Sequence, residues 1–303
     1  MVQKSLGFIG LGEAAFNMAK GLKKEGFPVI FAYDKFWNIE PQAALIKKRA
    51  DEAGVVLAPT LEEMLKHSGF IMSAVSANLA LPLAEAAAPY LTAGQIYIDL
   101  NAASPMTKEK VSATVHSAGA FFTDAAVMGP VPNYGHKVPI LACGNGAQIF
   151  HDIFKPYGMD ITYIGEKAGS ASALKMFRSI FMKGFVMLLV ESALAGHRYG
   201  VEDEVMASIV ETLESEESVA ALINGLMCRG VVHSERREHE MDEVIATMQE
   251  LQMDSIMSKA AKEKLRWCTN QGFREFFGGL PPEDFHDVLT AFDKIIAQKE
   301  QAG

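Results

Sequence analysis

The sequence predicts an α/β fold, a doubly wound sheet followed by an all-helical C-terminal domain, with a long helix joining the two. Three observations predict it. Short β-rich segments alternate with helical patterns up to about residue 164, the β pattern then stops, and a long proline-free helical pattern follows. A chain of 303 residues suggests two domains, which we place at residues 1–165 and 166–303.

The predicted strands are mostly continuous apolar runs, as expected when helices cover both faces of a sheet. They are Leu6–Ile9, Val29–Tyr33, Val55–Leu57, Phe70–Val75, Ile96–Leu100, Ala120–Asp124, Val138–Ala142 and Ile161–Ile164. Amphipathic stretches separate them, such as Glu13–Lys24, after which Gly26 is a stop signal. Strands that alternate with helices predict right-handed crossovers and a parallel sheet.

The second half begins with a helical pattern over Ala168–Tyr199, on the order of 45 Å long and longer than one small domain needs. Further helices are predicted at 201–213, 216–228, 233–250, 254–271 and 282–299, with Pro281 and Pro282 at the start of the last. Because the long helix is rich in large apolar residues, we predict a homodimer or higher homo-oligomer. These residues are Phe177, Phe181, Phe185, Met187 and Leu188.

The composition excludes several classes of protein. The formal charge is -9, and such an acidic surface repels phosphate backbones and anionic lipid, so neither nucleic acid nor a membrane is an expected partner. The run Ile180–Val190 is interrupted by Lys183 and is shorter than the roughly 20 residues that span a bilayer. The 3 cysteines are far apart, and neither they nor an HExxH pair indicate a metal site. With no visible targeting segment, we predict a cytoplasmic protein.

The strongest local signal is the glycine-rich turn of residues 7–15, Gly-Phe-Ile-Gly-Leu-Gly-Glu-Ala-Ala, between a strand and a helix. Gly10 permits a tight turn, Gly12 lets a pyrophosphate approach the backbone, and Ala15 is small enough for close packing. Asp34 lies 22 residues after Gly12, where an acidic side chain binds a ribose hydroxyl. This arrangement indicates a Rossmann-type dinucleotide site. A glycine-rich turn that binds nothing is the alternative.

NAD is favoured over NADP, because Asp34 would repel a 2′-phosphate, although the neighbouring Lys35 could attract one. The predicted cofactor-binding residues lie in the turn and at the ends of the second, fourth and fifth strands. They are Gly10, Leu11, Gly12, Glu13, Ala14, Ala15, Asp34, Lys35, Ser73, Ala74, Val75 and Asn101.

The glycine turn, followed by an all-α domain, resembles the β-hydroxyacid dehydrogenases, which include 3-hydroxyisobutyrate dehydrogenase and the cofactor domain of 6-phosphogluconate dehydrogenase. The stretch Asp99–Pro105 is similar to the family's Asp-x-Ser-Thr-x-x-Pro beside the nicotinamide ribose, with Asn101 and Ala102 in place of the hydroxyl residues. The stretch Asp124–Pro130 is similar to the substrate-binding Asp-x-x-x-Ser-Gly-Gly, which implies substrate contacts for its last three residues. These are Met128, Gly129 and Pro130, of which only Gly129 matches the family pattern.

A third motif, Gly169–Ser179, is similar to the family's Gly-x-Gly-x-x-x-Lys-x-x-Asn-Asn. Lys175 stands at the position of the catalytic lysine, which implies a general acid/base, while Arg178 and Ser179 replace the paired asparagines. Helical spacing puts Arg178, Ser179 and Lys183 on the face of Lys175, where they would suit a small anionic substrate. A solvated basic helix face is the alternative interpretation.

The resemblance implies an NAD(P)-dependent oxidoreductase that transfers a hydride between the nicotinamide and a small hydroxy acid, oxo acid or semialdehyde. Two other functions stay open. An imine reductase shares the architecture, but such enzymes usually carry Asp, Tyr or another residue in place of Lys175. A non-catalytic dinucleotide sensor is the second alternative, because both asparagines and the serine of the family motifs are replaced.

Overall fold

In the computed structural model, residues 4–302 are described, and the chain divides into two compact units. The first ends at Ser179 and the second begins at Ile180. This division falls inside the long helix α8 (Ser170–Tyr199), whereas the predicted second domain, residues 166–303, contains the whole helix.

The first unit is built around an eight-stranded sheet in the order β3-β2-β1-β4-β5-β6-β7-β8. The strands are β1 (Ser5–Ile9), β2 (Val29–Tyr33), β3 (Val56–Leu57), β4 (Phe70–Ser73), β5 (Ile96–Asp99), β6 (Phe121–Val127), β7 (Ile140–Cys143) and β8 (Ile161–Tyr163). The helices are α1 (Glu13–Lys24), α2 (Gln42–Ala53), α3 (Leu61–Lys66), α4 (Ala80–Ala87), α5 (Pro105–Ser117), α6 (Val131–Tyr134) and α7 (Ala147–Phe154). A strand is present at each of the eight predicted places, and the doubly wound fold class is confirmed.

The alternation of side chains along the strands explains the helical layers on both faces. In β4, Phe70 belongs to one hydrophobic cluster and the next residue, Ile71, to another. Phe8 and Ile9 of β1 divide between the same two clusters. Successive strand residues point to opposite faces, so each apolar strand contributes to a core on either side of the sheet.

One strand corrects the expectation of a wholly parallel sheet. Strand β7 runs antiparallel to β6, with Asp124 opposite Cys143, and β8 runs parallel to β7. The connection between β6 and β7 holds only the four-residue α6 and a short 3₁₀ turn. A parallel pair needs a longer crossover, usually a full helix along the sheet, so this short connection reverses the chain direction instead.

The second unit is helical. After α8 come α9 (Glu202–Leu213), α10 (Val219–Val232), α11 (Ser234–Glu250), α12 (Ile256–Gln271), α13 (Phe273–Phe276) and α14 (Phe285–Ala302). Helix α10 starts later than predicted because the Ser218 hydroxyl accepts a hydrogen bond from the Ala221 N–H at 3.1 Å and caps it. Helix α14 also starts later, after Pro281 and Pro282 rather than on them.

Helix α8 exposes much apolar surface. By length and composition alone it could cross a membrane, with a mean hydropathy of 1.5 in its most apolar window, of which 6% is buried. The run Ile180–Val190, on which the sequence prediction rests, is shorter than this window and contains Lys183. One residue of this helix makes polar contacts with α12. The Glu191 carboxylate accepts hydrogen bonds from the Met257 and Ser258 N–H groups, both at 2.8 Å.

Candidate active site

The glycine turn joins β1 to α1, and its first glycine is required by the backbone. Gly10 has a φ of +85°, and its N–H donates to the Tyr33 carbonyl at 2.8 Å. A Cβ on Gly10 would lie 2.9 Å from the Ala74 carbonyl oxygen. Only glycine adopts this conformation and fits this gap without strain, so Gly10 determines how closely the turn lies against the end of β4.

Gly12 differs, because it adjoins open space. Its φ of -67° suits any residue, and among the described residues no heavy atom beyond its chain neighbours comes within 4 Å of an added Cβ. Gly12 is the N-cap of α1, whose first N–H groups lack partners within the helix. An open space beside the amino end of a helix fits a pyrophosphate group.

A cavity of about 340 Å³ lies next to this turn. Its lining combines polar groups at the ends of β1 and β2 with apolar side chains from the segment after β4. The lining includes Gly10, Gly12, Asp34, Lys35, Val75, Leu79 and Leu83. The structure thus brings several predicted cofactor-binding residues together around one cavity, large enough for part of a dinucleotide.

Asp34 is fixed by two backbone groups. Its Oδ2 accepts a hydrogen bond from the Leu11 N–H at 2.9 Å, and its Oδ1 accepts one from the Phe36 N–H at 3.0 Å. A carboxylate can accept about four hydrogen bonds, so Asp34 keeps capacity for a ribose hydroxyl. Lys35 is exposed, with its Nζ 4.7 Å from the centroid of the Phe36 ring.

The other residues predicted in the α1 turn differ in exposure. Glu13 is exposed, Ala14 is half-buried and Ala15 is fully buried in the core. The burial of Ala15 agrees with the small residue that close helix–strand packing requires. Glu13 places a carboxylate in the first turn of α1, where it interacts favourably with the helix dipole but would repel a nearby anionic ligand.

Asn101 connects two strand ends rather than pointing into open space. It is buried, its Oδ1 accepts from the Val75 N–H at 2.6 Å, and its Nδ2 donates to the Ser73 hydroxyl at 3.0 Å. Its own N–H donates to Asp99 Oδ1 at 2.9 Å. The role of Asn101 visible here is therefore to fix the backbone around Ser73, Ala74 and Val75.

One fully buried lysine is absent from the predicted site residues. Lys108, on α5, has its Nζ 2.7 Å from the Asp99 carbonyl oxygen, 3.1 Å from Asp99 Oδ1 and 3.2 Å from Asp124 Oδ1. All three side chains are 0% exposed. A signal existed in the sequence, because Lys108 lies three residues before Val111 and seven before Val115 on the buried face of α5.

The amino end of α8 is bound to this charged cluster. Asp124 accepts hydrogen bonds from the Ser172 N–H at 3.0 Å and from the Ser172 hydroxyl at 2.7 Å. The Ala171 N–H lies 3.3 Å from Cys143 Sγ, whose pKa burial raises to about 11. These contacts satisfy backbone donors that the first turn of a helix normally leaves free.

Lys175, one turn further along α8, is half-buried. Burial lowers its pKa, the Lys108 cation lowers it further, and the Asp124 carboxylate acts in the opposite direction. Neutral amine is therefore available at lower pH than for a free lysine, as a general base needs. Ser179 donates its hydroxyl hydrogen to the Lys175 carbonyl oxygen at 2.9 Å, while Arg178 is exposed.

The residues predicted to bind substrate differ in burial and contacts. Met128 packs against the buried cluster of Ala126, Cys143 and Ala171, and its N–H donates to the Pro139 carbonyl at 2.8 Å. Gly129 is half-buried and Pro130 exposed. Lys183 is an exposed residue of the second unit. Among residues 4–302, His, Cys, Asp and Glu side chains form no group of three suited to a metal ion.

Comparison with known proteins gives the family. Residues 5–165 match the NAD binding domain of 6-phosphogluconate dehydrogenase, and residues 196–268 match a domain of unknown function, DUF1932. A solved structure of a conserved protein of unknown function, reported to be similar to 3-hydroxyacid dehydrogenases, is 31% identical in sequence. It covers 88% of this chain and 99% of its own, with a TM-score of 0.61.

Two further proteins are less similar in sequence. Human mitochondrial 3-hydroxyisobutyrate dehydrogenase is 26% identical over 212 residues, which are 68% of this chain and 60% of the human protein. The chain therefore matches less than two thirds of that relative's length. An imine reductase from Myxococcus stipitatus in complex with NADP⁺ shares the fold, at 17% identity and a TM-score of 0.67, over 88% of this chain and 95% of its own. On the match over residues 5–165, the chain belongs to the NAD(P)-binding, hydroxyacid dehydrogenase-like family that carries the NAD binding domain of 6-phosphogluconate dehydrogenase.

Proposed function

We propose that the chain is an NAD(P)-dependent oxidoreductase that acts on a small anionic hydroxy acid or the matching oxo acid or semialdehyde, with Lys175 as general acid/base. One observation carries the proposal. Lys175 is half-buried and has a lowered pKa, and it lies one turn from the amino end of α8. That helix end is bound to Asp124 of β6, a strand of the same sheet as the glycine turn. The bound nicotinamide would accept or supply the hydride.

The chemistry asked of the protein is a proton transfer. In oxidation, neutral Lys175 Nζ takes the hydroxyl proton while the carbon of the substrate loses a hydride. In reduction, the ammonium form returns the proton to the developing alkoxide. Arg178, at i+3 from Lys175, supplies a cation for a substrate carboxylate. Lys183 lies one further turn along the same basic face of α8.

The test is a panel of hydroxy acids, semialdehydes and cyclic imines, each assayed with both nicotinamide cofactors by the change in nicotinamide absorbance. Turnover of a hydroxy acid or its oxo form supports the proposal. Turnover of imines alone would support an imine reductase, whose fold the chain shares. Tight cofactor binding without turnover of any compound would support a dinucleotide sensor.

For the cofactor, we expect NAD⁺ to bind more tightly than NADP⁺. The Asp34 carboxylate is held at the end of β2 by the Leu11 and Phe36 N–H groups, where it would repel a 2′-phosphate. Dissociation constants from fluorescence titration of the two reduced cofactors measure the preference. Lys35→Ala should weaken NADPH binding and leave NADH binding nearly unchanged, while tighter binding of NADPH by the parent contradicts the expectation.

We also propose that the apolar surface of α8 is covered by a second copy of the chain. Ile180, Phe181 and Leu194 of the second unit are exposed by 73%, 59% and 53%. A lipid bilayer is a poorer cover, because Lys183 and Glu191 lie on the same helix and Glu191 is bound to α12.

Light scattering at micromolar concentration should therefore give a dimer or a larger oligomer. Phe181→Glu should shift the mass toward the monomer, because a charge would be buried at the contact. Phe276→Glu, which alters an exposed aromatic residue of α13, is the matched control and should leave the mass unchanged. A monomeric parent chain contradicts this proposal.

A further inference from the structure

The buried cluster of Asp99, Lys108 and Asp124 is costly to fold. Two carboxyl groups and one ammonium are removed from water, and the three Lys108 hydrogens have three oxygen atoms within 3.2 Å. Desolvation of such groups offsets most of their mutual attraction, and apolar side chains of similar volume often serve stability equally well. A stability role alone is therefore a weak explanation for a lysine at this position.

The cluster is also linked through consecutive contacts to α8, the helix that carries Lys175. Asp124 Oδ1 is shared between Lys108 Nζ at 3.2 Å and the Ser172 hydroxyl at 2.7 Å, and Asp124 Oδ2 accepts the Ser172 N–H at 3.0 Å. Ser172 precedes Lys175 by three residues, less than one turn of α8. Lys108 is thus connected to Lys175 through the Asp124 carboxylate and less than one turn of α8.

We propose that Lys108 is a positioning residue for the reaction, acting through Asp124 on the first turn of α8 and thereby on Lys175. This inference rests on the proposed function, in which Lys175 exchanges the proton. Lys108 would orient the Asp124 carboxylate toward the Ser172 donors, and its charge would offset the attraction that Asp124 alone exerts on the Lys175 ammonium.

The charges that face Lys175 set the direction of the effect. They are the Lys108 cation, which lowers the Lys175 pKa, and the Asp124 carboxylate, which raises it, in addition to burial, which lowers it. Removing the Lys108 charge leaves Asp124 unopposed, so the neutral form of Lys175 should need a higher pH. Asp99, whose pKa burial raises, contacts Lys108 rather than Lys175.

The experiment titrates Lys175 directly, in the absence of substrate. The purified protein is labelled with acetic anhydride over a series of pH values, and mass spectrometry gives the rate at Lys175. In Lys108→Met the midpoint should move to higher pH, and the rate at a fixed pH below the midpoint should fall severalfold. Lys110→Met, which removes an exposed lysine two residues along the same helix, is the matched control and should leave the midpoint unchanged.

A second variant protects the test against misfolding. Lys108→Met leaves two buried carboxyl groups without a cation and is expected to be destabilised. Asp99→Asn combined with Lys108→Met removes one charge of each sign and keeps Asp124. This double variant should be more stable than Lys108→Met alone, and its labelling midpoint at Lys175 should still move to higher pH. Circular dichroism and thermal melting report the folding of each variant.

The results separate this inference from the proposed function. If folded Lys108 variants lose stability but label at Lys175 with the parent midpoint, Lys108 supports only the fold and the inference is overturned. If turnover is found for the parent, the pH limb of kcat should move with the labelling midpoint while KM changes little. Failure of the substrate panel would overturn the proposed function, whereas the labelling midpoint would still show whether Lys108 acts on Lys175.

Discussion

Replacing Lys175 by alanine should lower kcat by about 10²–10⁴-fold, the range for loss of a positioned acid–base group. The reason is that the substrate hydroxyl loses the amine that takes its proton. Cofactor affinity should hardly change, because the predicted pyrophosphate site is the turn at Gly10–Ala15. Steady-state kinetics with the substrate found in the panel and titration with NADH measure the two effects.

The pH dependence distinguishes a proton acceptor from a structural contact. Oxidation requires neutral Lys175, and since burial and Lys108 lower its pKa, the rate should rise with pH through a pKa below the ordinary lysine value of 10.5. This limb should disappear in Lys175→Ala. Lys175→Arg should restore little activity, because a guanidinium stays protonated at these pH values.

Lys183→Ala is the control for Lys175→Ala, because it also removes one positive charge from α8 but not the proposed acid–base group. A residue that only attracts an anionic substrate contributes to binding, so this variant should raise KM more than it lowers kcat. A Lys175→Ala enzyme with nearly parental kcat would mean that another group transfers the proton.

The second large effect is expected at Gly12. Gly12→Val should abolish measurable cofactor binding, because a branched side chain would occupy the space where the pyrophosphate approaches the amino end of α1. The fold should survive, since the backbone at Gly12 is extended and the described residues leave open space around an added Cβ. Fluorescence titration with NADH and a thermal melt test both statements.

Gly10→Ala provides the contrast within the same turn. Its Cβ would collide with the Ala74 carbonyl at a backbone φ of +85°, so this variant should lose stability as well as binding. Parental NADH affinity in folded Gly12→Val would refute the assignment of this turn to the cofactor.

The sequence predicts the strands well because buried parallel strands are continuous apolar runs. It does not predict the reversal of β7, since the residues of β7 have the same apolar pattern in either direction. The direction depends on the connection through α6, whose length and turn geometry are properties of the folded chain. The start of α10 depended on one cap, Ser218, that the hydrophobic pattern does not reveal.

The candidate site likewise contains some residues that the sequence predicts and others that it does not. The sequence indicates that Gly10, Gly12 and Asp34 act together, because a dinucleotide site requires these residue types in a local order, and in the structure all three line one cavity. Lys108 could not be predicted as readily, because its partners Asp99 and Asp124 lie on two other elements. Asn101 is predicted to bind the cofactor, and the structure adds that its amide hydrogen-bonds Ser73 and Val75, which lie 28 and 26 residues earlier in the chain.

The binding of the α8 amino end to the sheet has a consequence for hydrogen exchange. Amide protons in the first turn of a helix usually exchange rapidly, because they have no acceptor within the helix. The Ala171 and Ser172 amides are buried and directed at Cys143 and Asp124, so they cannot exchange through fraying of the helix end alone. Their exchange requires α8 to separate from β6 and β7, and its rate therefore reports the free energy of that opening.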